Sequence, residues 1–467
     1  MRSLMFDSSA NDATLALARF AATTGLESVP SVVCKRLKEC LLDFVGNAAF
    51  AAVNAESSAA FRAGAVALQS GNEDATVVGD TQGYSYLQAA LLNGAFAHTL
   101  DFDDTNVWGC LHPGAPVIAA ALVEAERTHA TGKRWLAALA VGYEVATRTG
   151  AALGSTAYDR GFHVTAVAGI FGAVAAVGRL RGVDAGTLAS AFGIAGSKAA
   201  GSMQYLANGS WNKRLHPGFA AHDALLALAF AQAGVVGAAA PIEGRYGLLT
   251  GYTNEATPSA LTDRLGQWWP SAETAIKPFP SCRFNHGAIE AALQLHELLG
   301  ADARKRIEAA LREGTRLEVR LSPKAAQIVG EATPNKIDPR NIVDAQFSAY
   351  FQVAVALLDG RCNWQSYERI GAADVAALCS SIYVVIDGQL PIMGAALSFA
   401  GQVVRIDEPL GEPSRPCDGA FLRRKFDDLA VPVFGGAHAA RIVQRVSALE
   451  DETDASTLIR QFRRSLQ

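Results

Sequence analysis

The amino-acid sequence predicts a mainly α-helical protein, with a large all-α domain formed by both ends of the chain and a smaller α+β domain inserted between them. Segments of helical length, rich in Ala and Leu and separated by Gly, Asn, Asp or Pro, follow one another from about residue 10 to 250. The β-branched alternation typical of strands is concentrated between about residues 315 and 409, and charged helical sequence then returns. At 467 residues, the chain is long enough for two hydrophobic cores.

The predicted elements follow this division in order. In the first part we predict helices in ATLALARFAATT, VVCKRLKECLLDFVGNAAFAAV, SYLQAALLNGAFAHTL, APVIAAALVEAERTHA, KRWLAALAVGYEVATRTGAAL, VTAVAGIFGAVAAVG and HDALLALAFAQAG. After WWPSAETAIKPFPSCRF we predict a helix in HGAIEAALQLHELLG and strands in TRLEVRLSP, SSIYVVIDG and GAALSFAGQVVRIDEP. From CDGAFLRRKFDDLA onward we predict helices again. We therefore assign residues 1–269 and 406–467 to the all-helical domain and residues 270–405 to the α+β domain.

Composition and charge exclude several classes of function. A formal net charge of −4 gives no field that would attract nucleic acid or an acidic membrane surface. The seven cysteines are scattered and form no CxxC pair, which is typical of reduced thiols in a cytoplasmic protein. The first twenty residues lack the apolar core of a signal peptide, and the most apolar stretch, residues 164–178, is shorter than a bilayer span. We expect a cytoplasmic protein with no membrane segment, in which 164–178 is a buried helix.

The stretch HTLDFDDTNVWGCLHPGAPV, residues 98–117, contains two histidines and three aspartates in an otherwise apolar region. The order of its acids does not match a calcium loop of the EF-hand type, and we predict no metal site. Each aspartate alone is explained by helix capping or a turn. Capping does not call for a histidine on each side, so the combination of His98 and His112 with these acids favours a functional site.

Further ionisable residues occur beside Gly and Pro. They are His163 in DRGFHVT, Lys213, Arg214 and His216 in NGSWNKRLHPG, and Lys277, Arg283 and His286 in IKPFPSCRFNH. Each alone could be surface charge or a buried histidine bonded to a carbonyl. Together they place cations on turns of a slightly acidic protein, which favours a cleft for a small polycarboxylate.

Two other positions leave alternatives open. Lys198 interrupts a run of small residues, where it could be a desolvated base with a lowered pKa or could extend to water. In GYEVATRTG, Arg148 could form an i,i+4 ion pair with Glu144 or could clamp a carboxylate; Tyr143 lies on the same helix.

At these motifs the chain resembles the MmgE/PrpD family, which includes 2-methylcitrate dehydratases, cis-aconitate decarboxylase and iminodisuccinate epimerase. The resemblance runs in order through GAFAHTLDFDDT, LHPGAPV, GYEVATR, RGFHVT, KRLHPGFAAHDALLALAFA, IKPFPSCRFNH and DAQFSAYFQVAVALLDG. It implies a helical domain with an α+β insertion, a homodimer, an active site between the domains, and no metal or organic cofactor. It also implies that the cleft is lined by Asp101, Thr105, His112, His163, Lys213 and Lys277.

The chain departs from the decarboxylase pattern in the loop from Thr105 to His112, which is one residue longer, and at two single positions; at a third position it departs from many family members. Cys282 stands where the decarboxylase has a histidine, Phe351 stands where it has a tyrosine, and Lys198 stands where many members have a neutral residue. These departures favour a different reaction of the family.

The chemistry that the resemblance implies is proton removal from carbon next to a carboxylate. Cations stabilise the resulting enediolate, and the candidates are Arg148, His163, Lys213 and Lys277, with Arg283 also placed in the cleft. Lys198 opposite His98 or Tyr143 would form a two-base pair. We therefore expect an epimerase of an iminodisuccinate-like amino-dicarboxylate. The alternatives are a dehydratase of a citrate-like hydroxy acid and an anion-binding protein that has lost the chemistry.

Overall fold

The computed structural model describes residues 12–69 and 74–465. Its first part is a layered helical assembly. The helices are α1 (Ala13–Thr23), α2 (Ser31–Asn54), α3 (Ser58–Ala67), α4 (Tyr86–Thr99), α5 (Gly114–Arg127), α6 (Gly132–Leu153), α7 (Thr156–Asp159), α8 (Val164–Arg181), α9 (Ala185–Gly196), α10 (Asn212–Gln232) and α11 (Leu248–Tyr252). Two short antiparallel strands that the sequence did not predict, β1 (Ala75–Thr76) and β2 (Gly83–Tyr84), precede α4. Polar side chains begin several helices: Ser85 accepts a hydrogen bond from the N–H of Gln88, and Asp184 from that of Thr187.

Helix α8 lies at the centre of this assembly, against α5, α6, α9 and α10. Small residues let the helices approach closely: a Cβ built on Gly142 of α6 would lie 2.9 Å from the carbonyl oxygen of Gly172 in α8. Among the described residues, α8 alone is long and apolar enough to cross a membrane, and 89% of it is buried inside the structure. The prediction of a buried helix at 164–178 is therefore confirmed.

Helix α10 corrects one prediction from the sequence. We expected NGSWNKRLHPG to be a turn, but α10 begins at Asn212 and continues through Pro217. Proline in a helix removes one backbone hydrogen bond. The helix nevertheless continues, and Gly218, the next residue, packs directly on α4, where an added Cβ would lie 2.2 Å from the carbonyl oxygen of Leu91. Lys213 and His216 therefore lie on a buried helix, not on a loop.

The second part contains a four-stranded sheet. Its helices are α12 (His286–Leu299), α13 (Ala303–Arg312), α14 (Pro323–Ala325), α15 (Pro334–Ile337), α16 (Ile342–Gln346), α17 (Ala349–Asp359) and α18 (Ala373–Ser381); its strands are β3 (Leu317–Leu321), β4 (Ile382–Ile386), β5 (Ala395–Phe399) and β6 (Gln402–Ile406). The strand order is β4-β3-β5-β6, with β3 parallel to β4 and antiparallel to β5. Alternate residues of β3 are buried, which agrees with the period-two pattern of its sequence. Helix α12 packs on β5, β6 and α17.

The chain then returns to the first part through α19 (Gly419–Phe434), α20 (Gly436–Ser447) and α21 (Ser456–Ile459). Helix α19 packs on α2, and residues from Leu422 to Phe462 join the hydrophobic cluster of the first part. A second cluster is formed mainly by residues between Phe279 and Ile406. The mainly α-helical class is confirmed, and the exact domain limits at 269/270 and 405/406 stay predictions.

Candidate active site

The segment after α4 turns sharply and buries all three of its aspartates. Asp101 has a φ of 51°, in the left-handed region that few residues other than glycine adopt. The backbone of Thr105 exchanges hydrogen bonds with that of Ala275, at 3.0 and 2.7 Å. This pairing brings Lys277, far away in sequence, to the end of α4.

Asp101 is held between two buried ammonium groups. Its Oδ1 lies 2.8 Å from Lys277 Nζ and 3.2 Å from Lys213 Nζ, whereas its Oδ2 has no hydrogen-bond partner. Burial alone would raise the pKa of Asp101, but Lys213 and Lys277 hold it well below its usual range. Asp101 is therefore a carboxylate that fixes both cations.

The two lysines differ in how many donors remain for a ligand. Lys277 Nζ donates to the carbonyl and Oδ1 of Asp101 and to the carbonyl of Ser281, so its three N–H groups are used. Lys213 has one carboxylate contact, with Asp101, and its Nζ lies 5.2 Å from the centre of the Phe347 ring. Lys213 is therefore the cation that can bind a substrate carboxylate, and Lys277 positions Asp101.

Four histidines lie beside this ion cluster. His98 Nδ1 and His112 Nδ1 lie 2.7 and 3.3 Å from the same oxygen of Asp103. The ring centres of His98 and His163 are 5.4 Å apart, and His163 Nδ1 lies 3.1 Å from His216 Nδ1. The four imidazoles therefore form one continuous group.

These imidazoles are proton acceptors. Burial, opposed by Asp103, lowers the pKa of His98 to about 3, and burial with nearby Lys213 lowers that of His216 to about 4. Burial and the neighbouring histidines hold the pKa of His163 well below its usual range. At neutral pH these rings are uncharged, and a bound anion would raise their proton affinity.

A cavity opens onto this group from between the two hydrophobic clusters. Six of the predicted site residues line it: Asp101, Thr105, His112, His163, Lys213 and Arg283. The Thr105 hydroxyl is buried without a hydrogen-bond partner. The guanidinium of Arg283 is bonded to Glu412 and lies 3.2 Å from His286 Nδ1, so its charge is already paired. His98 lies directly behind His112 and His163, and its Nε2 also has no hydrogen-bond partner.

The prediction that Lys198 is a desolvated base is wrong. Its side chain is 49% exposed and pairs with Asp223 at 3.3 Å. The run of small residues around Lys198 spans the end of α9 and the turn after it, and Lys198 itself lies in the exposed turn, so the ammonium group reaches water. Lys198 is absent from the cavity wall.

Arg148 and Tyr143 also lie away from the cavity wall, so a direct contact of either with substrate is not supported. Arg148 is fully buried and donates to Glu144 and to the carbonyl oxygens of Ala260, Asp263 and Trp268. Of the two alternatives for this residue, the structure therefore shows the i,i+4 ion pair with Glu144. The hydroxyl of Tyr143 donates to Asp104 Oδ2 at 2.7 Å. Asp104 also accepts from the N–H of Gly114, so Tyr143 supports the segment that carries the site.

Sequence reasoning missed the aromatic residues of the cavity: two tyrosines, Tyr158 and Tyr205, and the phenylalanines Phe284 and Phe347. Tyr158 donates to the carbonyl of Cys110 and has its ring centre 6.4 Å from that of His163. Tyr205 is buried, with ring centres of His163 and Phe347 within 6.2 and 5.9 Å. The nearness of Tyr158 to the RGFH motif could have indicated it. No pattern around Tyr205 distinguishes it.

One group of residues could offer metal ligands. Single ligand atoms of His98, Asp103 and His112 lie within 4.8 Å of one another. A cation there would replace the hydrogen bond between Asp103 and His98 and would meet the ammonium of Lys213 nearby. The arrangement fits a hydrogen-bonded carboxylate and imidazole pair at least as well, and the predicted lack of a metal stays a prediction.

Fold and site together define a mainly helical class of protein with a cavity, lined by buried ionisable side chains, where its two hydrophobic clusters meet. The chain matches the MmgE/PrpD N-terminal domain over residues 15–261 and the MmgE/PrpD C-terminal domain over residues 279–451. It therefore belongs to the MmgE/PrpD family.

The curated relatives that it resembles are named as decarboxylases. It is 25% identical to a cis-aconitate decarboxylase of Aspergillus terreus over 476 residues, 96% of this chain and 95% of the relative. It is 27% identical to the Homo sapiens cis-aconitate decarboxylase over 79% of this chain and 78% of the relative. It is 32% identical to the cis-aconitate decarboxylase-like protein oryM of Aspergillus oryzae over 231 residues. This match covers 46% of this chain and 48% of that relative. These comparisons give no support to the iminodisuccinate epimerase in particular.

Proposed function

We propose that this protein is a lyase that acts on a small carboxylic acid by proton transfer at the carbon next to a carboxylate. The observation that carries the proposal is the position of Lys213, an ammonium group with donors to spare, beside uncharged imidazoles that line the same cavity. The membership in a family whose named relatives are lyases supports it.

The proposed chemistry uses these groups in sequence. Lys213 binds the substrate carboxylate, with the free Thr105 hydroxyl beside it. His163 or His112 accepts the proton from the adjacent carbon, and the electron pair of the C–H bond moves into the carboxylate. The ammonium group stabilises the enediolate that forms. The electron pair of the enediolate then forms the C=C double bond as the C–O bond of a hydroxyl on the next carbon breaks. The hydroxide takes a proton from an imidazolium and leaves as water.

We place dehydration of a citrate-like hydroxy acid first and decarboxylation second. Burial raises the pKa of the Cys282 thiol to about 11, so at neutral pH this position carries no charge and lacks the imidazole that the decarboxylase pattern has there. Decarboxylation is favoured by the names of the relatives. An epimerase needs a second base on the opposite face of the substrate carbon. Lys198, which we expected in that role, lies at the surface, so the structure gives the epimerase hypothesis no such base at Lys198.

The test follows the products from citrate, 2-methylcitrate and cis-aconitate in D2O by NMR. We expect a new C=C double bond, loss of water and solvent deuterium in the residual substrate. Release of CO2 would favour the decarboxylase, and exchange with inversion but without loss of water or CO2 would favour the epimerase. No exchange and no product with any acid would contradict the lyase.

A matched pair of variants assigns the proton transfer. His163→Gln should lower the rate by about 10²–10⁴-fold, because it removes a proton acceptor from the cavity. His129→Gln is the control, since His129 has a side chain that is 61% exposed and lies outside the cavity. Equal rates in both variants would exclude His163 from the chemistry.

A further inference from the structure

The cavity has two chemically different ends. Its inner end carries the ion cluster of Asp101, Lys213 and the histidines described above. Its remaining wall is formed largely by apolar side chains, among them Leu111, Met203, Ile328, Phe347, Ile392 and Met393. Phe347 joins the two ends, because its ring faces both Lys213 and Tyr205.

The cations of the outer wall are already neutralised. Lys324 lines the cavity, but its Nζ lies 2.5 Å from Asp159, and this pair has no net charge. The Arg283 guanidinium is bonded to Glu412, and the pKa of Cys282 is raised, so this thiol carries no charge at neutral pH. Lys213, in contrast, shares the single carboxylate of Asp101 with Lys277, which leaves one positive charge in excess. Within the described part of the chain, the charge that the wall offers to a substrate is concentrated at Lys213.

This distribution does not suit a ligand with charges along its whole length. A carboxylate against the apolar wall would lose its hydration without gaining a cation or a donor. An alkyl group there would leave water for a surface of methyl, thioether and aromatic groups, and each buried methylene strengthens binding by about fourfold.

We propose that the substrate is amphipathic: a carboxylic acid whose carboxylates bind at Lys213 and whose alkyl substituent, several carbons long, lies against Met203, Phe347 and Ile392. This inference rests on the proposed function, since it takes the same cavity as the active site. It specifies the class of acid on which the lyase acts.

The experiment measures the binding of succinate and of its methyl, butyl and octyl derivatives by calorimetry at neutral pH. We expect the Kd to fall as the chain lengthens, by about fourfold per methylene over the first carbons, until the chain emerges from the cavity. A Kd that is the same for all four acids, or rises with length, would overturn the amphipathic substrate and leave the lyase proposal standing. Failure of every acid, succinate included, to bind would contradict the carboxylate site and with it both proposals.

A matched pair of surface substitutions shows where the alkyl chain lies. Ile392 is 49% exposed and lines the cavity, whereas Ile386 is 66% exposed and lies at the end of β4 outside it. Both can be changed to Asn without opening a core. We expect Ile392→Asn to reduce the ratio of the Kd of succinate to that of octylsuccinate several-fold, and Ile386→Asn to leave this ratio unchanged. An unchanged ratio in Ile392→Asn would place the chain elsewhere and overturn the assigned wall.

Discussion

Buried charged residues near the cavity divide into groups that can meet a ligand and groups that hold the protein in shape. Lys213 retains N–H groups that can donate hydrogen bonds to a ligand, whereas all three N–H groups of Lys277 are bonded to Asp101 and Ser281. Arg148 is equally committed, to Glu144 and to three carbonyl oxygens. The residue type alone therefore does not separate substrate-binding cations from structural ones.

Substitution of Arg148 by Met should destabilise the protein without removing a ligand contact. The change leaves the fully buried carboxylate of Glu144 without its ion-pair partner, which costs about 3–5 kcal/mol of the free energy of unfolding. The matched control is Arg423→Met, which breaks an i,i+4 pair with Asp427 at the surface and should cost about 0.5 kcal/mol or less. Urea denaturation measures both. A loss of carboxylate binding in folded Arg148→Met, with unchanged stability, would restore Arg148 as a substrate clamp.

At the scale of elements, the close approach of α4 and α10 places the site. His98 lies in the last turn of α4, and the aspartates follow the end of this helix. Lys213 and His216 lie in the first two turns of α10. A Cβ built on Gly94 of α4 would lie 2.8 Å from the backbone of Gly218 in α10, so the two glycines let the helices touch. The distance between Asp101 and Lys213 thus depends on the small residues of these two helices.

Gly218→Ala should therefore separate the two helices. Overpacking of this kind costs about 1–3 kcal/mol, and we expect weaker binding of succinate because Lys213 moves with α10. The control is Gly251→Ala in α11, where no atom lies within 4 Å of the added Cβ. That change should be neutral or stabilise the protein by up to about 1 kcal/mol, because alanine favours helix. Thermal unfolding compares the two, and equal melting temperatures would contradict the close packing.

At the scale of the whole molecule, distant parts of the chain meet beneath the site. Lys425 of α19 lies 2.5 Å from Asp43 of α2 and donates to the carbonyl oxygen of Phe102 at 2.7 Å. Helix α19, near the C-terminus, therefore anchors the backbone between Asp101 and Asp103. The homodimer and the cytoplasmic location implied by sequence stay predictions.

The buried histidines should make the stability of the whole protein depend on pH. The pKa of His216 is about 4 in the folded protein and about 6.5 when unfolded, so below pH 6.5 the unfolded chain binds a proton that the folded protein does not. This histidine should therefore lower the free energy of unfolding by about 1.4 kcal/mol per pH unit between pH 6.5 and 4.

The measurement compares wild type with His216→Gln by urea denaturation at pH 6.5 and 5. We expect the wild type to lose about 2 kcal/mol more than the variant over this interval, which is the contribution of one such histidine. His129→Gln, at the surface, should follow the wild type. Parallel losses in wild type and His216→Gln would show that His216 does not titrate as proposed.

The sequence by itself determined the helical class, the position of the strands of the four-stranded sheet and the collinear motifs of the family, because periodicity and local motifs depend on neighbouring residues. It also indicated Asp101, Thr105, His112, His163 and Lys213, all of which the structure brings to one cavity.

Only the tertiary structure decided that Lys198 is exposed, that Arg148 and Lys277 are fully paired, and that apolar side chains share the cavity with Lys213. Burial and pairing depend on segments far apart in the chain, such as Asp263 beside Arg148 or Ile392 in the same cavity lining as Lys213. Because the pKa and the free donors of a side chain follow from these distant contacts, the roles of the charged residues emerge only once the chain has folded.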